Sequence, residues 1–135
     1  MSIGGDSIYR EIILDHYQNP RNRGTLDPND YTYEDNNPLC GDEVRIDVRV
    51  KDDTIDEIAF SGQGCAISQA SASILMEIVD GKTLDEVKAI DKEELLDELG
   101  VDLSPARLKC ALLSLKVLKA ALYGIDHANE ELDEV

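Results

Sequence analysis

Three cysteines and one aspartate are the residues of this chain best suited to soft-metal or sulfur chemistry. Cys40, Cys65 and Cys110 lie far apart, and Asp42 follows the first of them by two positions. No two cysteines form a local C-x-x-C pair. Thiolates ligate zinc and iron–sulfur units, and a carboxylate adds a harder, weaker donor. Ligands this dispersed can meet only where the fold assembles them. The competing reading is packing, because free cysteine often behaves as a small buried hydrophobe. A disulfide framework fits less well. The count is odd, no signal peptide is visible, and a chain of 135 residues needs no staples.

The surroundings of each cysteine sharpen the metal reading. Cys40 stands in Asn37-Pro38-Leu39-Cys40-Gly41-Asp42. In an extended chain residues i and i+2 point the same way, so Cys40 and Asp42 could reach one metal. Gly41 between them permits a tight backbone. Cys65 follows Gly62-Gln63-Gly64 and precedes a helix, whose first N–H groups and dipole favour a thiolate. Gly62 and Gly64 allow the loop to close around a bound species. They are equally an ordinary turn, and the G-x-G-x-x-G of a dinucleotide site is absent. Cys110 comes six residues after Ser104, near the start of the last helix. Three thiolates and a carboxylate around Zn²⁺ leave net negative charge, which nearby cations offset. Arg107 and Lys109 are the only basic residues in 93–115, and they fit either that role or a solvated helix surface.

The elements that must position these residues follow from patterning. Residues 6–18 read as an amphipathic helix capped by Asp6, with Ile8, Tyr9, Ile12 and Ile13 on one broad face, and Asn19-Pro20 ends it. Residues 19–39 are loop-like, with a possible strand at Tyr31–Asp35. Val44, Ile46, Val48 and Val50 alternate with Glu43, Arg45, Asp47 and Arg49, the mark of a half-buried antiparallel strand. Lys51-Asp52-Asp53 turns the chain into a second strand over 54–61, with Ile58 and Phe60 on one face. Ile55 breaks the alternation and points to a bulge or to the strand start. A helix over 67–80 ends at Gly81. Thr83 with Glu86, and Asp91 with Glu94, have the spacing of capping boxes. Ser104-Pro105 opens a last helix that runs to Tyr123, with Gly124 after it. The expected class is α+β, a small three-stranded antiparallel sheet with helices packed on one face. Residues 1–135 are expected to form one domain, with 1–5 and 125–135 as flexible flanks.

Composition narrows the function. Apolar residues make up 42 % of the chain and aromatics only 4 %, so the core is aliphatic. No apolar run is long enough to span a bilayer, and the first residues do not read as a secretory signal. Net charge is −16, which argues against nucleic acid and against anionic membrane surfaces. The acids are spread over every segment, as in a solvated acidic shell suited to a high-salt or acid-rich proteome. Reduced thiols fit a cytoplasmic setting. His16 reads as structural or helix-end, and His127 as solvated in the acidic tail. No hydrolase-type arrangement stands out among the acids.

Taken together, several runs resemble the U-type iron–sulfur cluster assembly proteins, the IscU/SufU/NifU N-terminal family, over about residues 8–123. They are Asp15-His16-Tyr17-Gln18-Asn19-Pro20-Arg21-Asn22, the Asn37–Asp42 run, Gly62-Gln63-Gly64-Cys65-Ala66-Ile67-Ser68 with Ala70-Ser71-Ala72-Ser73, and Arg107-Leu108-Lys109-Cys110. The resemblance implies that the cysteines and Asp42 converge at one exposed end of the domain. There they would bind a [2Fe–2S] cluster or zinc, with Gly41, Gly64, Arg107 and Lys109 in support. It implies a cysteine desulfurase as sulfur donor and apo iron–sulfur proteins or carriers as recipients. Two branches stay open. In a scaffold, the four residues hold a nascent cluster. In a zinc-dependent sulfurtransferase, Cys40 accepts persulfide sulfur. Lys109 stands where IscU proteins commonly carry histidine, as in the SufU type, yet the chain is too short between Cys65 and Cys110 for the usual SufU insertion. A purely structural zinc site is the third reading.

Overall fold

A computed structural model describes residues 3–38, 41–100 and 102–124, with side chains from Ile8 onward. The elements are α1 (Ile3–Gln18), β1 (Tyr31–Asn37), β2 (Asp42–Lys51), β3 (Thr54–Gln63), α2 (Ala66–Val79), α3 (Leu84–Ala89), α4 (Lys92–Leu99) and α5 (Pro105–Tyr123). The strands form one antiparallel sheet in the order β1-β2-β3. This is the expected class, and Tyr31–Asp35 does lie in a strand. The acidic tail from residue 125, with His127, and Cys40 lie outside the described residues.

The sheet faces its helices through the residues that alternation assigns. Val44, Ile46, Val48 and Phe60 are fully buried, and α2 and α5 cover them with Leu75, Met76, Val79, Leu115 and Leu118. Removing each such side chain from water contributes about 1.5–3 kcal/mol. The irregularity at Ile55 is a bulge. Val50 pairs with Ile55 but Arg49 pairs with Glu57, so Asp56 is the extra residue. Thr83 and Glu86 make the full capping box of α3, and Asp91 and Ser104 cap α4 and α5.

Helix α1 departs from expectation in two ways. It begins at Ile3, so Asp6 lies inside it and does not cap it. Its buried stripe is also narrower. Ile13 and His16 are buried and Ile12 partly so, while Ile8 stays 59 % exposed at the rim of the stripe. The helix meets α2 and α4 through the side that carries Ile13 and His16.

His16 has the structural role anticipated for it. Its Nδ1 lies 2.7 Å from Ser73 Oγ, and its Nε2 lies 3.0 Å from Glu77 Oε1. The Arg21 N–H donates to the same Ser73 Oγ at 2.8 Å. One neutral tautomer satisfies all three contacts, with Nε2 donating to Glu77 and Nδ1 accepting from Ser73. Burial pushes the His16 pKa down, and Arg21 acts in the same direction. The motif beginning Asp15-His16 therefore anchors α1 and the following segment to α2.

The outward face of the sheet holds a buried acid that patterning assigned to solvent. Asp47 is 1 % exposed under the chain that leads into β1. Leu26 N–H donates to its Oδ2 at 3.0 Å, Thr32 Oγ donates to its Oδ1 at 2.6 Å, and Arg45 Nε donates to Oδ1 at 3.0 Å. Burial alone would raise the pKa of this carboxyl, but the three donors outweigh it and hold the value below the usual range. A depressed folded value means stability that is complete above the unfolded value of about 3.9 and is lost as pH falls through the folded one. Asp47→Asn should therefore cost about 1–3 kcal/mol at pH 7. In urea melts the gap to wild type should close as pH falls below 4. A gap independent of pH would contradict this account of Asp47.

Candidate metal centre

The site forms where the sheet ends against two helices. Asn37 and Asp42 are directly opposite in the β1–β2 register, and Glu43 pairs with Gln63 at the end of β3. Asp42 has the same parity as Val44, Ile46 and Val48, so it continues the core-facing row of β2 and is fully buried. A carboxylate thus takes a position that the sheet otherwise fills with valine and isoleucine. Its Oδ1 accepts the Cys65 backbone N–H at 2.8 Å, and its Oδ2 lies 3.8 Å from Cys65 Sγ. Among the described residues it has no ion-pair partner. A buried carboxylate held by one N–H and one thiol is a costly arrangement unless a cation joins it.

Cys65 is the N-cap residue of α2 and makes no side-chain cap bond, which leaves its sulfur for other partners. The glycines before it are required by close packing. A Cβ at Gly62 would lie 2.0 Å from the Glu43 carbonyl oxygen, and its φ is +126°. A Cβ at Gly64 would lie 2.3 Å from Asp42 Oδ1 and 2.6 Å from Ser68 Oγ. The turn is thus pressed against the Asp42 carboxylate.

Cys110 comes from α5. It lies in the second turn, six residues past its cap, so it has no share of the free N–H groups at a helix start. Its sulfur is buried, 3.5 Å from the Ala106 carbonyl oxygen and 3.9 Å from Asn37 Nδ2. The Asn37 amide is a contributor that its place in the motif did not single out. Its register opposite Asp42 is the signal that finds it.

Asp42, Cys65 and Cys110 each offer one ligand atom, and these atoms all lie within 4.8 Å of one another. Ligands of a tetrahedral zinc ion with bonds of about 2.0–2.3 Å stand roughly 3.3–3.8 Å apart, so a small contraction closes the set. Cys65 is a free thiol, whereas Cys110 is disulfide-bonded, contrary to the expectation of reduced thiols. Once it is reduced, two thiols and a carboxylate suit zinc or iron. Two further expectations are revised. Gly41 has φ +70° and its N–H bonds the Asn37 carbonyl oxygen at 2.8 Å, so the chain there is a turn, and the extended i, i+2 argument for Cys40 and Asp42 does not apply. The described members are also more enclosed than an exposed end implies. Asp42 and Cys110 are buried, and Cys65 is half-buried. Arg107 and Lys109 are exposed and make no ion pair among the described residues.

Comparison with known proteins gives this geometry its family. The model of the NifU-like N-terminal domain matches residues 8–131. The chain belongs to that family. It is 39 % identical over 132 residues to the zinc-dependent sulfurtransferase SufU of Bacillus subtilis, covering 84 % of this chain and 88 % of that one. That alignment is longer than the part of this chain it covers, so it includes positions where this chain has no residue. The iron–sulfur cluster assembly scaffold protein IscU of Escherichia coli K12 is 39 % identical over 118 residues, covering 84 % of this chain and 91 % of the relative. Among solved structures, a NifU-like N-terminal protein from Brucella abortus superimposes with a TM-score of 0.72 at 25 % identity, covering 90 % of this chain and 96 % of that one. A candidate cluster assembly scaffold of the SUF system from Fervidobacterium islandicum AW-1 also gives 0.72, at 32 % identity, covering 86 % and 97 %.

Proposed function

We propose that this protein is an iron–sulfur cluster assembly scaffold, one domain acting in the cytoplasm, which receives sulfur from a cysteine desulfurase. It builds a [2Fe–2S] unit and passes it to apo proteins or carriers. The observation that carries this reading is the convergence of Asp42, Cys65 and Cys110 from β2, the α2 N-terminus and α5. Cys40, in the Asn37–Asp42 run that resembles the family, supplies the remaining thiolate. The donor set explains how a cluster could be both held and released. Thiolates grip a soft centre, and the carboxylate is the more exchangeable ligand. Among the described residues no helix is long and apolar enough to cross a membrane. The test is anaerobic assembly with ferrous iron, cysteine, a desulfurase and an excess of a dithiol reductant, which supplies the electrons that turn persulfide sulfur into sulfide. A visible chromophore with equal iron and sulfide, transferable to an apo ferredoxin, is the expected result.

A second reading, a zinc-dependent sulfurtransferase with Cys40 as persulfide acceptor, draws on Lys109 and on the similarity to SufU. Stimulation of the desulfurase by the zinc form alone, with no transferable cluster, would favour it. Zinc that is retained with neither activity would favour a structural site.

Lys109 tests the ligand set from outside. It is exposed, and a protonated lysine cannot ligate. Lys109→Ala should weaken desulfurase docking or cluster yield while metal stoichiometry stays unchanged. Lys109→His should remain competent and hold the cluster longer. Loss of metal from Lys109→Ala would show that a ligand has been misplaced.

A further inference from the structure

The turn that presents Cys65 is held by a residue remote from it in sequence. The chain after α1 runs beside β3 as an added edge. Phe60 N–H donates to the Asn22 carbonyl oxygen at 3.0 Å, and Gly24 N–H donates to the Phe60 carbonyl oxygen at 2.8 Å. This fixes the backbone of Arg23 against Phe60. The Arg23 side chain crosses the Phe60 ring, with its guanidinium carbon 5.6 Å from the ring centroid. Its two terminal nitrogens then diverge. Nη2 donates to the Gly62 carbonyl oxygen at 2.6 Å, and Nη1 donates to Gln69 Oε1 at 2.7 Å.

These two acceptors bracket Cys65. Gly62 is the residue at which β3 gives way to the turn. Gln69 is one helical turn beyond Cys65, and its N–H bonds the Cys65 carbonyl oxygen at 3.1 Å. Gln69 is 4 % exposed, and its Nε2 has no hydrogen-bond partner among the described residues. The Arg23 bond is therefore the polar contact that fixes this buried amide. A planar, forked cation can span both acceptors at once, which a lysine ammonium cannot do in the same geometry.

We infer that Arg23 is a positioning residue for Cys65, stapling the Gly62 carbonyl to the Gln69 side chain so that the ligand turn stays closed on Asp42. The inference rests on the reading of Cys65 as a metal or cluster ligand. Arg23 touches no ligand atom. It acts by limiting how far the turn can open, and opening is what ligand exchange requires.

The test compares wild type with Arg23→Ala, Arg23→Lys and, as a control, Arg49→Ala. Arg49 bonds the Pro28 carbonyl oxygen and Glu57, with no contact to the Cys65 turn. The first readout is exchange of the Cys65 amide proton in metal-free protein, measured relative to the Val48 amide so that global unfolding cancels. The second is the rate of zinc release to a chelator. Arg23→Ala should speed both by about tenfold or more, the usual scale for removing a ligand's support. Arg23→Lys should recover part of the effect, and Arg49→Ala should match wild type. Rates within twofold of wild type in Arg23→Ala, whatever its melting temperature, would overturn the staple. If wild type holds no zinc at all, the metal reading fails, and amide exchange alone then decides whether Arg23 closes the turn.

Discussion

Cys110→Ser is expected to lose the metal or cluster while keeping the fold. Structural zinc binding is worth about 10–16 kcal/mol in all, an average of about 3 kcal/mol over four ligands, so removing one of the stronger thiolate donors should lower affinity roughly 100-fold or more. Serine is nearly isosteric, and its hydroxyl can still donate to the Ala106 carbonyl oxygen that Cys110 now faces at 3.5 Å. The α5 helix is fixed by Leu112, Leu115 and Leu118, not by the sulfur. Cys65→Ser should behave alike, since its backbone N–H to Asp42 survives the change. The check is zinc titration and anaerobic cluster assembly, with circular dichroism to confirm the fold. A zinc affinity within about threefold of wild type in either variant, measured by competition with a chelator, would remove that residue from the site.

Asp42→Ala should have the opposite signature. It removes the hard donor from a soft centre, and with it the ligand that exchanges most readily. A cluster loaded on the variant should therefore pass to an apo acceptor more slowly, on the order of tenfold, which corresponds to about 1.4 kcal/mol in the exchange barrier. The variant also loses the acceptor of the Cys65 N–H, so transfer is timed from matched, preloaded samples of both forms. Transfer as fast as wild type, or faster, would count against Asp42 as the exchangeable ligand.

The parts of this fold that were legible in the sequence are those decided by neighbours in the chain. The alternation through Val44, Ile46 and Val48 set the face of β2, and Thr83–Glu86 set the start of α3, because both interactions are local. Strand β1 was harder to see. Tyr31-Thr32-Tyr33-Glu34-Asp35-Asn36-Asn37 is mostly polar and owes its extended form to pairing with β2. The burial of Asp47 depends on donors from Leu26 and Thr32, which no local pattern announces. Lys119 is similar. It stands inside α5 at 1 % exposure and donates to the carbonyl oxygens of Lys88 and Ile90.

At the site, the residue types were readable but their support was not. Cys65 at a helix N-cap follows from Gly62-Gln63-Gly64 and the helix after it. The burial of Asp42 follows from extending the parity of Val44 by two residues, a step that the expectation of an exposed end obscured. Arg23 reaches Gly62 and Gln69 across 39 and 46 positions, so only the folded chain reveals it. Gly41 shows the limit of the extended-chain argument. Its φ of +70° turns the backbone just where the i, i+2 geometry was assumed.

The account depends most on Asp42, Cys65 and Cys110 meeting, with Cys40, at one metal. Zinc-edge X-ray absorption of the reduced protein loaded with one equivalent tests this most directly. The account predicts three sulfur ligands at about 2.3 Å and one oxygen at about 2.0–2.2 Å. A shell of nitrogen and oxygen alone, or one with fewer than three sulfurs, would contradict it.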